Sequence, residues 1–161
     1  MSMIRFTPFL LCAALSAVLQ TPDPRLTVAD VENLTGIKGV HVVAPGSQPG
    51  AGPGLDFAGP DNKLILMVNS GSDALYRRAH DQKEIDVGGQ KMPMTLYHAS
   101  VPGIGDEAFD SPPGPLQYVI YLRKGTKAAS VSTYLDRSSA QSTRLSMAQL
   151  KAVAKLVADR L

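Results

Sequence analysis

Residues 117–135, QYVIYLRKGTKAASVSTYL, decide the fold. Two runs rich in β-branched and aromatic residues, Gln117 to Arg123 and Ala128 to Leu135, flank Lys124-Gly125-Thr126-Lys127. Such residues fit a pleated surface, and a short linker with a glycine free to take a positive φ closes a hairpin. The second run alternates. Ala129, Val131, Thr133 and Leu135 share one face; Ser130, Ser132 and Tyr134 share the other. This pattern predicts an antiparallel sheet with one wetter face. Tyr118 and Tyr121 have opposite parity on their strand and are predicted to line opposite faces.

The apolar face of such a sheet needs a cover, and the chain supplies one just downstream. In LSMAQLKAVAKLVADRL, residues 145–161, Ser146 is a helix cap and Gln149 completes a capping box. Leu145 and Leu150 form a hydrophobic staple. Met147, Leu150, Val153, Ala154, Val157 and Leu161 fall on one helical face, away from Lys151, Lys155 and Asp159. An amphipathic helix of this kind packs one side on a sheet.

Upstream, Leu26-Thr27-Val28-Ala29-Asp30-Val31 opens a first helix with the same grammar. Thr27 caps, Asp30 suits the positive end of the helix dipole, and Leu26 and Val31 are the staple. Asn33, Thr35 and Gly36 end it, which predicts a helix over 28–35. Strands are expected at 40–43, 55–58, 63–69 and 94–101, with the third continuous enough to be buried on both faces. Ser72 is placed to cap a helix carrying Leu75, Tyr76 and Ala79. The stretches 46–54, GSQPGAGPG, and 101–115 read as loops. The sum is one α+β domain over 21–161, a largely antiparallel sheet with helices packed on it, the last of them amphipathic.

The first twenty residues differ in kind. MSMIRFTPFLLCAALSAVLQ carries one charge, Arg5, then an uncharged run from Phe9 to Leu19 and the small residues Ala13, Ala14, Ser16 and Ala17. These are the parts of a secretory signal peptide, with cleavage expected between Ala17 and Thr21. The apolar run is short for a membrane span, so no stable membrane anchor is expected after cleavage. Phe9, Leu10 and Leu11 precede Cys12 where a lipidation signal would have small residues. Cys12 is the single cysteine, so a chain lacking residues 1–20 has no disulfide and no thiol nucleophile. The expected location is periplasmic or secreted.

Composition narrows the function classes. With 44% hydrophobic and 19% charged residues in 161, this is an ordinary globular composition. A net charge of +2 gives no concentrated basic face, so no nucleic-acid partner is expected. Arg77-Arg78 and Arg123-Lys124 with Lys127 read as solvated faces or turn ends.

One stretch looks like chemistry. In VPGIGDEAFDSP, residues 101–112, Gly103 to Ala108 literally fits G-x-G-x-x-A. A dinucleotide fingerprint must lead from a strand into a helix, whose N-terminus holds the pyrophosphate. Here Pro112, Pro113 and Pro115 follow, and Asp106 and Glu107 would face a negative ligand, so no dinucleotide cofactor is expected. The structural reading is that Gly103 and Gly105 allow a tight bend and Asp106 bonds nearby backbone amides. The functional reading makes Gly103, Gly105, Asp106 and Glu107 a ligand or partner loop. No cofactor or metal is expected. His41 and His98 form an alternative metal pair only if their strands pair; no two histidines have close metal-ligand spacing.

VPGIGDEAF, the strand–KG–strand hairpin and the final LxxLAKLxxxRL-like helix together resemble a group of small bacterial exported proteins with a VPGxGDEA loop. The likeness spans most of residues 26–161, with the GDEA loop its most specific part. More distantly, the order of elements is similar to exported actinobacterial lipoprotein domains and PsbP-like sandwiches. The resemblance implies export, an α+β sandwich and a binding or accessory role, and transfers no catalytic residue. The expected function is therefore an exported, non-catalytic domain that binds a small molecule or a cell-envelope protein. The alternative is an exported hydrolase with dispersed Ser, His and Asp residues, although no G-x-S-x-G elbow is present.

Overall fold

The structure, a computed structural model, describes residues 26–43, 54–81, 84–87, 89–93, 99–111, 117–134 and 144–161. The predicted signal segment with Cys12, residues 46–53 of the Gly/Pro loop, residues 94–98 and Leu135 lie outside them. The chain runs α1 (Val28–Thr35), β1 (His41–Val43), β2 (Gly54–Ala58), β3 (Leu64–Ser72) and α2 (Asp73–Asp81). It continues β4 (Glu84–Val87), β5 (Gln90–Pro93), β6 (Ala99–Ser100), β7 (Glu107–Ser111), β8 (Gln117–Lys124), β9 (Lys127–Tyr134) and α3 (Met147–Asp159).

Seven strands form one antiparallel sheet in the order β1-β2-β3-β9-β8-β7-β6; β4 and β5 pair separately. The β8–β9 hairpin sits at the centre, as its alternation predicts. Its register sets two faces. On one, Leu66, Thr133 and Tyr118 lie in a row, beside Val68, Val131 and Ile120, then Ser70, Ala129 and Leu122. Helix α3 packs there, and Leu150, Val153, Ala154 and Val157 are buried with that face in the main core, as the helical spacing anticipates. Each buried side chain of this size stabilises the fold by roughly 1.5–3 kcal/mol, alanine less.

Helix α1 forms over the expected residues with the expected capping box, and its staple residues Leu26 and Val31 are both buried. It leans on α3. Gln149, whose side chain also closes the box at Ser146, donates from Nε2 to the Thr35 carbonyl at 2.6 Å. At the far end of α3, Arg160 makes a two-pronged ion pair with Asp30, at 2.6 and 3.0 Å.

The second face holds a smaller cluster of Tyr76, Phe109 and Ala128, and α2 covers it. Tyr121 packs into this cluster and Tyr118 against the main core, the opposite-face placement that their parity predicts. This second face is the wetter face the alternation predicts, with Met67, Asn69, Tyr121 and Arg123 half-buried, but its serines are not exposed. Ser130 and Ser132 are 5% and 1% exposed. Both sit on the inner strand β9, flanked in register by larger neighbours: Asn69 and Tyr121 beside Ser130, Met67 and Val119 beside Ser132. A small side chain between taller ones is hidden whatever its polarity.

Two further differences concern strands. Residues 107–111 form β7 where a loop was expected, because Glu107 to Ser111 find a full partner in Arg123 to Val119. The segment read as a strand over 94–101 is described only as the two-residue β6. Strand β3 mixes buried Ile65, Leu66 and Val68 with half-buried Leu64, Met67 and Asn69, so it is less enclosed than its apolar run implies. Lys124 and Lys127, exposed at the two ends of the β8–β9 turn as expected, also donate to the Ala158 and Leu161 carbonyls at the C-terminal end of α3, where cations complement the helix dipole.

Candidate functional site

The GIGDEAF segment links β6 to β7 and is closed at its base by the Val101 N–H donating to the Ala108 carbonyl at 2.9 Å. Val101 and Ile104 are buried in the main core, so the loop is anchored from within. Its glycines answer different needs. Gly103 turns at φ +79° in open space. Gly105 turns at φ +59°, and a Cβ there would stand 2.4 Å from the Arg123 carbonyl oxygen. Only glycine lets the backbone come this close, and the adjacent Asp106 N–H uses the approach to donate to that same oxygen at 2.9 Å.

The two carboxylates separate in role. Asp106 turns back to the β8–β9 turn and accepts from the Gly125 N–H at 2.7 Å. Glu107, across the ladder from Arg123, accepts from its Nε at 2.9 Å. Arg123 also lies over the Tyr76 ring, 5.7 Å from its centroid, with Asp73 4.0 Å away. The Arg123 hydrogen bond holds the Glu107 carboxyl below the usual carboxylate range, and a hydrogen bond from Tyr76 adds to this. Burial, then Glu107, pushes the Tyr76 hydroxyl up.

Helix α2 supplies the facing wall. Tyr76 and His80, one helical turn apart, stack with ring centroids at 5.8 Å. Phe109 of β7 meets both edge-on, at 5.2 and 5.5 Å, and stacks on Tyr121 at 5.1 Å. Between α2 and the loop lies an open recess of about 420 Å³. Val101, Ile104, Ala108 and Phe109 give its apolar lining; Asp106, Glu107, His80 and Tyr76 give its ionisable groups. The four loop residues singled out from sequence, Gly103, Gly105, Asp106 and Glu107, all line it.

Sequence reading missed Tyr76, His80, Phe109 and Arg123. The i, i+4 spacing of Tyr76 and His80 on an expected helix was a usable signal; the pairing of Glu107 with Arg123 needed the register. The recess holds no strand-to-helix turn, since the GxGxxA segment runs into β7. A dinucleotide fingerprint is thereby ruled out here.

The alternative metal reading needs the strands of His41 and His98 to pair. His41 lies on β1, which pairs with β2. His98 itself is outside the described residues. Among the described residues, no group of three or more His, Cys, Asp or Glu side chains is arranged to hold a metal, and no helix is long and apolar enough to cross a membrane.

No protein-family model, curated protein or solved structure matches the chain.

Proposed function

We propose that this is an exported, non-catalytic binding or accessory domain whose ligand sits in the recess between α2 and the 101–108 loop. One observation carries the reading: the loop singled out from sequence and an aromatic face of α2 converge on one open recess with a buried apolar lining and a polar rim. Concave sites of about this size are where small molecules bind. Export rests on the signal-like residues 1–20, and the periplasm or the exterior is the proposed location.

Native mass spectrometry on protein purified from the exported fraction of its own cells tests both parts. The expected result is a chain lacking roughly its first twenty residues and carrying a defined adduct, the leader length following from signal-peptide dimensions. Ser100→Trp, which crowds the recess from its exposed rim, is expected to remove that adduct. Recovery of the uncleaved chain in the cytoplasm overturns export. An adduct that survives Ser100→Trp places the ligand elsewhere.

A hydrolase is the second reading, because Ser100 shares the recess with His80, whose Nδ1 lies 3.0 Å from the Asp81 carboxylate. Their exposure argues against it. The His80 and Asp81 side chains are 51% and 71% exposed, whereas an orienting aspartate acts from a dry, buried position. Ester hydrolysis abolished by Ser100→Ala would establish it nonetheless.

A further inference from the structure

We infer, building on the reading of this recess as a ligand site, that the ligand is a small organic cation: a protonated amine carried on an apolar or aromatic body.

The charges around the recess point to it. Asp106 and Glu107 line it, and among the described residues no lysine or arginine does. Beyond the lining, Asp73 pairs with Arg77 and lies 4.0 Å from Arg123, and Asp81 lies beside His80, so Asp106 and Glu107 are the carboxylates of the recess itself in a chain that is net positive at +2. An anion would enter against two carboxylates. A neutral guest would leave their remaining acceptor positions to water.

The apolar part is equally specific. Phe109, Val101 and Ile104 are almost wholly buried beneath the recess, so the surface they offer is preformed and rigid. Tyr76, His80 and Phe109, packed ring against ring, line it. A ring face beside a carboxylate is a cation site, because the quadrupole and the negative charge act in the same sense.

The protein already uses this pairing at the same wall. The Arg123 guanidinium lies 5.7 Å from the Tyr76 ring centroid and 2.9 Å from Glu107. Glu107 keeps capacity for a second cation, since a carboxylate offers about four acceptor positions and Arg123 and Tyr76 occupy two. Asp106 spends one on Gly125. A guest ammonium bridging the two carboxylates, with its body on Phe109, satisfies both halves of the recess.

The test is titration of the ¹⁵N-labelled full chain with three isosteres: 2-phenylethylammonium, 2-phenylethanol and 3-phenylpropionate. The expected result is that the amine shifts the amides of Gly103, Gly105 and Glu107 with an affinity at least about tenfold above the other two, the worth of one charge-assisted hydrogen bond. Glu107→Gln is expected to weaken the amine about tenfold and leave the alcohol unchanged. If that variant fails to fold, salt gives the same reading on the native chain: amine binding falls with ionic strength and alcohol binding does not. Equal or tighter binding of the alcohol or the acid at those amides overturns the cation while the recess stands as a site. No shift from any of the three overturns both.

Discussion

The Asp106 carboxylate accepts a hydrogen bond from the Gly125 amide at 2.7 Å, tying the 101–108 loop to the β8–β9 turn across nineteen residues of chain. Gly125 sits at φ +59°, so its N–H is aimed by a conformation that favours glycine. The acceptor and the turn that presents the donor specify one another. Asp106→Ala is expected to lower stability by about 0.5–1.5 kcal/mol, the net worth of one hydrogen bond at an exposed site. Asp106→Asn, which keeps an acceptor oxygen, is expected to lose less. Urea midpoints at constant m-value measure both, and an Asp106→Ala midpoint equal to the native one would show that the tie holds nothing.

The neighbouring glycines separate two effects that are usually confounded. Gly103→Ala meets only the left-handed backbone penalty, about 1–2 kcal/mol, because nothing lies within 4 Å of its would-be Cβ. Gly105→Ala meets that penalty and a 2.4 Å clash with the Arg123 carbonyl as well. It must therefore destabilise more than Gly103→Ala, and it should expose the Asp106 amide to faster hydrogen exchange. Equal unfolding midpoints for the two variants would contradict the close approach.

The Asp30–Arg160 ion pair makes a prediction about acid. Arg160 and Thr27 hold the Asp30 carboxyl far below its ordinary value, with the Arg160 hydrogen bond the largest cause. A carboxylate depressed in the folded state contributes stability that is complete above the unfolded value, near 4, and is lost as pH falls toward the folded one. Asp30→Asn is thus expected to be less stable than the native chain at pH 7, with the gap closing steadily below pH 4. Denaturant melts at pH 7, 4, 3 and 2 give the gap directly, and a gap independent of pH would rule out the pair as its source.

The parts of the fold that sequence made legible are those written locally. Caps at Thr27 and Ser146, the parity of Tyr118 and Tyr121, and the Gly125 turn each depend on residues a few positions apart. What escaped depends on pairing at a distance. Strand β7 is a strand because residues 119–123 lie beside it, and Ser132 is buried because Met67 and Val119 stand on either side. The site divides in the same way. Its glycines and carboxylates were visible in one stretch of chain, whereas Tyr76, His80 and Arg123 join it only through the packing of α2 and the register of β8.

Thr133 tests the largest of these distant couplings. Its hydroxyl, 1% exposed as a residue, donates to the Ile65 carbonyl at 2.9 Å and accepts from the Leu145 N–H at 3.1 Å. One side chain thereby joins β9, β3 and the residue that leads into the cap of α3. Valine has nearly the same shape and no polar atom. Thr133→Val keeps the packing but removes the hydroxyl's hydrogen bonds to the Ile65 carbonyl and from the Leu145 amide at a buried position. Each such bond is worth about 0.5–1.5 kcal/mol net, so a loss of about 1–3 kcal/mol is expected. Thr133→Ser keeps the hydroxyl and loses one methyl, worth about 1 kcal/mol. If the hydroxyl is the coupling, serine must be the milder substitution. The reverse order in chemical denaturation would show that packing, not hydrogen bonding, joins α3 to the sheet here.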